Sequence, residues 1–266
     1  MSIGPDDEEK SMAMVNYSED DRKYHTHLRP GEPGELCLLP GDPGRVAAIA
    51  SRLDGAHEVA SNREFLTWAG TLDGHAVSVT STGMGSGSAT ECLEELSECG
   101  CATFVRVGTC GGIALDVCAG DVVIAASATH EGASEEYAPV TWPPSASWDV
   151  TRALDDAACE LGFPHHVGVV HCKGAFRSQH APQTMPNHVA LEALWDAYVR
   201  LGVLASEMES ASLFSVAAAR GVRCGTVLAV MGNQMRGRAG LPNEQVHDTS
   251  RAIDVAILAV RHLLEG

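Results

Sequence analysis

One stretch constrains the rest of this chain: Thr103–Gly112, which reads Thr-Phe-Val-Arg-Val-Gly-Thr-Cys-Gly-Gly. Phe104, Val105 and Val107 predict a buried strand, because aromatic and β-branched side chains fit a packed, pleated surface. Arg106 interrupts that apolar run. A guanidinium cannot shed its charge, so burying one requires an anionic partner. Gly108, Gly111 and Gly112 then predict a flexible turn whose N–H groups close around an anion. Two readings follow. Either Arg106 and the turn hold a phosphate beneath a sugar and a base, or the arginine pairs with a local carboxylate at a strand end. On the first reading Arg106 serves chemistry alone, and its replacement by Ala is expected to leave folding intact.

Around this stretch, strands and helices alternate. Strands are expected at Leu36–Leu39, Phe65–Leu72, Ala76–Thr80, Asp121–Ala128, Val167–Cys172, Val203–Ser206 and Cys224–Met231. Helices are expected at Val46–Leu53, from Ala89 to Cys99, and at Trp148–Leu161, Asn187–Arg200, Ala211–Arg220 and Thr249–Leu264. Asp73-Gly74 predicts a tight hairpin between the second and third strands. In the helix after Gly87, Ala89, Cys92, Leu93, Leu96 and Cys99 share one face, and Glu91, Glu94, Glu95 and Glu98 are expected to point to solvent. Thr129–Pro144 and Gly232–Pro242 read as loops. This order predicts an α/β domain with one central sheet over residues 23–266, preceded by a mobile acidic arm over residues 1–22.

Composition removes several function classes. The net charge of −17 opposes binding to nucleic acid or an anionic membrane surface. No apolar run approaches the roughly 20 residues of a membrane span. The acidic N-terminus lacks a basic region and an apolar region, so no signal peptide is expected there. The 9 cysteines show no Cys-x-x-Cys pair and no zinc spacing, so reduced thiols in a cytoplasmic protein, with no metal site, are expected.

Three further segments carry polar chemistry. Pro40-Gly41-Asp42-Pro43-Gly44-Arg45 is a sharp strand-to-helix turn, where free N–H groups and the helix dipole favour an oxyanion beside Arg45. Glu207 and Glu209 follow a strand, where an open α/β sheet presents its ligands. They could serve as acid and base, accept hydrogen bonds from sugar hydroxyls or merely face solvent; a metal is not expected, because no other acid or histidine nearby completes a shell. Phe176 offers an apolar face to a flat base. Gly83, Gly85 and Gly87 between a strand and a helix invite comparison with a dinucleotide fingerprint. Their spacing differs from it, however, and the next strand carries Arg106 in place of an acidic ribose ligand.

Five motifs occur in one order: Leu38-Leu39-Pro40-Gly41-Asp42-Pro43-Gly44-Arg45, Asn62-Arg63-Glu64-Phe65, Ser81-Thr82-Gly83-Met84-Gly85, Arg106-Val107-Gly108-Thr109 and Glu207-Met208-Glu209-Ser210. From Tyr24 to the C-terminus the chain resembles the nucleoside phosphorylase-I family, most closely its uridine phosphorylase branch. The resemblance implies one α/β domain with a central mixed β-sheet flanked by helices. It implies phosphorolysis of a nucleoside, a pentosyl transfer that uses inorganic phosphate as co-substrate and no other cofactor. By position, Gly41, Arg45, Arg106 and Thr109 match the phosphate site, and Arg63 matches an arginine lent to a neighbouring subunit. Glu209 matches the ribose carboxylate, with Met208 and Glu207 in the same motif, and His25 matches a neighbour-derived contact to the ribose 5′-hydroxyl. Phe176 matches the aromatic beside the base. The family also implies a homo-oligomer, at least a dimer with shared sites and a hexamer in the uridine branch. A monovalent cation near Glu64 at the dimer interface belongs to the same pattern.

The departures fall at the base. The usual uracil reader, a Gln followed two positions later by an Arg, meets His180 and Pro182 without a gap. With a one-residue gap, Gln179 recovers the first position. The family arginine after Val-Asn is replaced by Gln234, for which Arg236 or Arg238 stands as a substitute. Asn233 occupies the position of the aspartate that protonates a departing purine, and an amide cannot donate that proton. A pyrimidine is therefore expected. A purine or broad-specificity phosphorylase is the first alternative. An NAD(P)-binding oxidoreductase using Gly83–Gly87 and a catalytically idle nucleoside-binding protein are further ones.

Overall fold

Nine strands form one mixed sheet in the computed structural model, which describes residues 21–265. The acidic arm expected over residues 1–22 lies almost wholly outside them. In chain order the elements are β1 (Leu36–Pro40), α1 (Val46–Ala50), β2 (Asp54–Asn62), β3 (Phe65–Leu72), β4 (His75–Thr80), α2 (Ser86–Glu98), β5 (Thr103–Gly112) and β6 (Val122–Ala128). They continue with α3 (Ser134–Tyr137), α4 (Trp148–Glu160), β7 (His165–Cys172), α5 (Phe176–His180) and α6 (His188–Arg200). The last are β8 (Ala205–Glu207), α7 (Ser210–Arg220), β9 (Arg223–Asn233), α8 (Gln234–Arg238) and α9 (Ser250–Glu265).

The sheet order is β2-β3-β4-β1-β5-β8-β7-β6-β9, and β5 pairs with β9 as well. The strands from β5 to β9 therefore close on themselves. β5 runs parallel to β1 and β9 but antiparallel to β8, so two oppositely directed sets of strands meet along it. The crevice at such a meeting point is where α/β sheets bind ligands.

Alternation along β5 sends Phe104 into a core with α2 and α7, through Leu93, Leu96, Leu213 and Phe214. Val105 and Val107 face the opposite core, with Ile49 of α1, Leu154 of α4 and Val255 of α9. The expected hairpin is present: Asp73 and Gly74 both take positive φ, 51° and 84°, as a type I′ turn requires.

The glycines after Arg106 differ from expectation. Gly108, Gly111 and Gly112 lie inside β5, paired along β9, and make no turn. What requires glycine is space. A Cβ at Gly108 would sit 2.7 Å from Leu228 Cδ2 and 2.8 Å from Arg106 Cζ. A Cβ at Gly112 would lie 2.7 Å from Asn233 Nδ2. The strand thus yields side-chain volume to the guanidinium it carries.

The outward-facing acids of α2 also differ. Glu94 and Glu95 are buried. Glu95 accepts the Thr26 N–H at 2.7 Å, the Thr26 hydroxyl at 2.8 Å and the His25 N–H at 2.8 Å. Glu94 pairs with Arg220 of α7. A helix face that reads as solvated is spent fastening the segment before β1 and a neighbouring helix. Two short helices, α3 and α8, stand in segments read as loops, and α5 is a third that was not expected, each too brief for a sequence period to register.

Replacing Gly108 by Ala should cost about 1–3 kcal/mol of stability, the ordinary range for overpacking a filled site. A lowered urea midpoint with an unchanged slope would show it.

Candidate active site

The strand ends meet around a cavity of about 880 Å³. Its floor is Arg106, 3 % exposed, which shares with Phe104 the face of β5 towards α2 and α7. Its Nε donates to Glu207 Oε2 at 3.2 Å, and one terminal nitrogen, Nη2, donates to Glu209 Oε2. The other, Nη1, is buried and has no hydrogen-bond partner among the described residues. Glu207 is fully committed: it also accepts the N–H groups of Glu209 at 2.9 Å and Ser210 at 3.0 Å, closing the start of α7. Both readings of Arg106 therefore hold at once. Two carboxylates satisfy part of the guanidinium, and an unspent donor remains.

Arg45 faces the same space. The turn Pro43–Arg45 is capped by Asp42, whose Oδ1 accepts the Gly44 N–H at 2.8 Å. This directs Arg45 back towards β5, where its Nη1 donates to Val107 O at 3.3 Å. A Cβ built on Gly41 would lie 3.8 Å from Arg45 Nη2 and 3.9 Å from Arg106 Nη1. Two guanidinium groups thus border one small volume that glycine leaves open. Burial, and then the charge of Arg106, push the pKa of Arg45 down. Two crowded cations with a spare N–H make a site for a tetrahedral anion. Thr109 lines the same wall.

Above this floor, Glu209 joins Arg106 to the glycine turn after β4. Its Oε1 accepts the Gly85 N–H at 2.6 Å. Gly83 has φ of 69°, and a Cβ there would stand 2.7 Å from both Glu64 Cγ and Ser88 Oγ. Glu64 accepts from that Ser88 hydroxyl at 2.7 Å, which holds its carboxyl below the usual range. Met208 and Glu64 both line the cavity.

The far wall comes from α5 and the end of β9. Phe176 is 58 % exposed, and its ring stacks on His180 at 4.2 Å. Burial, with the nearby charge of Lys173, pushes the His180 imidazole down. Gln179 is buried, donates from Nε2 to Gln234 Oε1 at 3.1 Å, and leaves its Oε1 without a partner among the described residues. Asn233 is occupied: its Nδ2 donates to Ala114 O and Val117 O, and its Oδ1 caps α8 through Met235 and Arg236.

Some expected residues are not brought in. Arg236 lies outside the lining and donates to Pro242 O and Leu115 O. Arg238 sits over the Trp195 ring instead. Arg63 is exposed at the β2–β3 turn with φ of 52°, over the Tyr24 ring and away from the cavity. His25 is likewise outside it, with its Nδ1 2.8 Å from Glu95 Oε1. Among the described residues, the cluster of metal-ligating types, Asp155, Cys159 and His165, also lies away from the cavity.

Sequence reasoning missed Lys173, Asn243 and Gln245, all of which line the cavity. A signal for Lys173 existed. Like Arg106, it is a lone cation in an otherwise apolar neighbourhood with a glycine close behind. Asn243 and Gln245 come from an irregular segment with no period to read.

The chain belongs to the phosphorylase superfamily: that family's model matches residues 35–265. Among the family's characterised members, the chain is 48% identical to the uridine phosphorylase of Treponema pallidum (strain Nichols) over 245 residues, 92% of this chain and 95% of that protein. It is 37% identical to the uridine phosphorylase of Escherichia coli (strain K12), covering 86% of this chain and 92% of that protein. A guanosine phosphorylase of Halorubrum lacusprofundi is 34% identical over 91% of this chain and 99% of its own length.

The ion pairs revise the expectation that Arg106 is dispensable for folding. Arg106→Ala would strand two buried carboxylates and should cost about 3–5 kcal/mol in urea unfolding. Arg45→Met should stay within about 1 kcal/mol of the parent, yet bind inorganic phosphate at least roughly tenfold more weakly by calorimetry.

Proposed function

We propose that the chain is a uridine phosphorylase, a pentosyltransferase that converts uridine and inorganic phosphate to uracil and ribose 1-phosphate. One observation carries the reading: the buried, unspent Nη1 of Arg106 faces Arg45 across Gly41, directly beside the carboxylate of Glu209. An anion subsite thus adjoins a hydroxyl-accepting group in one cavity. The activity that names the Treponema and Escherichia relatives agrees with it.

In this reading Gly41, Arg45, Arg106 and Thr109 hold phosphate, and Glu209 and Met208 hold the ribose, with Glu207 fixing the pose of Arg106. A phosphate oxygen attacks C1′ as the bond to the base breaks, and the bonding pair leaves with the base. The oxocarbenium-like state forms against the phosphate dianion, so positioning and electrostatics supply most of the rate, with no covalent enzyme intermediate. Phe176, Gln179, His180 and Gln234 surround the base. Arg63 and His25 act in the cavity of a second copy, which makes the enzyme at least a dimer and, in the uridine pattern, a hexamer. Their exposure and partial exposure outside their own cavity support this. A monovalent cation at the charged carboxylate of Glu64 belongs to that shared edge. The nine cysteines, free of disulfides, suit the reducing cytoplasm.

Guanosine is the competing substrate, after the Halorubrum relative. Asn233 argues for uridine. Its amide is consumed by backbone groups, and it supplies no acid for a purine N7.

Loss of uridine absorbance that requires added phosphate is the expected result, with guanosine the slower substrate. Glu209→Ala should lower kcat/KM for uridine at least roughly a hundredfold while changing phosphate affinity far less. Uridine cleavage at equal rate without phosphate would overturn the reading.

A further inference from the structure

Lys173 has no assigned task and an unusual setting. It follows β7 directly, is 4 % exposed and lines the cavity. An ammonium carries three donors and no acceptor. Its Nζ meets one neutral acceptor, Ser206 Oγ, at a long 3.3 Å, and no carboxylate lies within ion-pair distance of it among the described residues. Burial pushes its pKa down, and the nearby charge of Glu207 opposes that shift. A buried cation with two free N–H groups is costly unless something arrives to accept them.

Its position says what arrives. The Nζ stands 5.7 Å from the centre of the Phe176 ring, the surface against which a flat base would lie. Gln179, three residues beyond Phe176, contributes a buried carbonyl oxygen with no partner among the described residues. Arg236 and Arg238, the sequence-level candidates for a cation at the base, are engaged elsewhere. The cavity therefore offers, on its base side, one charged donor and one orphan acceptor.

We propose that Lys173 donates to a ring carbonyl of the departing base, and that with Gln179 it selects bases in which a carbonyl adjoins a ring N–H. Uracil has that edge, and guanine shares it. Cytosine and adenine present an unprotonated ring nitrogen there and fail the acceptor. When the glycosidic bond breaks, its electron pair is delocalised onto the base carbonyls, so a fixed ammonium gains interaction energy as the charge forms. This inference rests on the phosphorylase reading and adds the group that stabilises the leaving base.

The test compares uridine with 5-fluorouridine, whose base is more acidic and needs less stabilisation. Lys173→Met should lower kcat for uridine by about a hundredfold, the scale of losing one charge-stabilising donor. The loss with 5-fluorouridine should be less than about tenfold, because the leaving group carries its own charge more easily. Lys173→Arg should recover most of the uridine rate. Retained calorimetric binding of inorganic phosphate by the Met variant would show that the cavity is intact. The unaltered enzyme should leave cytidine and adenosine uncleaved. Equal losses on uridine and 5-fluorouridine, a Met variant as fast as the parent, or ready cleavage of cytidine would overturn the inference while leaving the phosphorylase reading standing. An unaltered enzyme that cleaves neither uridine nor guanosine with phosphate would overturn both.

Discussion

The buried contact of Arg106 with Glu207 and Glu209 holds the site together. It joins the middle of β5 to the end of β8, across the line where strands of opposite direction meet. Burying three charges is tolerable only because each finds partners: Glu207 takes the first N–H groups of α7, and Glu209 takes the Gly85 N–H. What this network leaves over is one terminal nitrogen of the guanidinium, Nη1, with both of its N–H groups. The same ions that organise the sheet therefore set the poise of the cavity.

Electrostatics make this arrangement necessary. A chain with a net charge of −17 repels a phosphate at long range. Screening shortens that repulsion to about 8–10 Å at ordinary ionic strength. Inside the cavity, Arg45, Arg106 and Lys173 stand largely out of water, where an electrostatic contact counts for more. An anion reaching this cavity would meet local, desolvated cations against an unfavourable global field.

Much of this was legible in the residues. The alternation of strands and helices, the Asp73-Gly74 hairpin, the Asp42 turn and the anomalous Arg106 all announced themselves, because local propensity and the final fold agree there. The glycines after Arg106 were misread because composition alone does not separate a turn from a crowded strand. Their φ values are ordinary; the nearness of Leu228 explains Gly108 and that of Asn233 explains Gly112, while nothing crowds Gly111. Glu94 and Glu95 were misread because charge predicts exposure until a partner far along the chain, Thr26 or Arg220, is known. The cavity's far wall was least legible, since α5, α8 and the segment carrying Asn243 and Gln245 are too short or irregular to leave a period.

The missing side chain at Gly108 has a consequence for how such a sequence drifts. Leu228 on one side and the Arg106 guanidinium on the other leave no clearance for even a methyl group. A side chain at position 108 therefore requires Leu228 or the Arg106 guanidinium to shift. Helix α6, which has no buried residue, meets the rest of the chain through softer contacts such as Trp195 with the His171 ring and Arg238. The room left at a position that itself performs no chemistry thus limits what the chain can carry there more tightly than at this periphery.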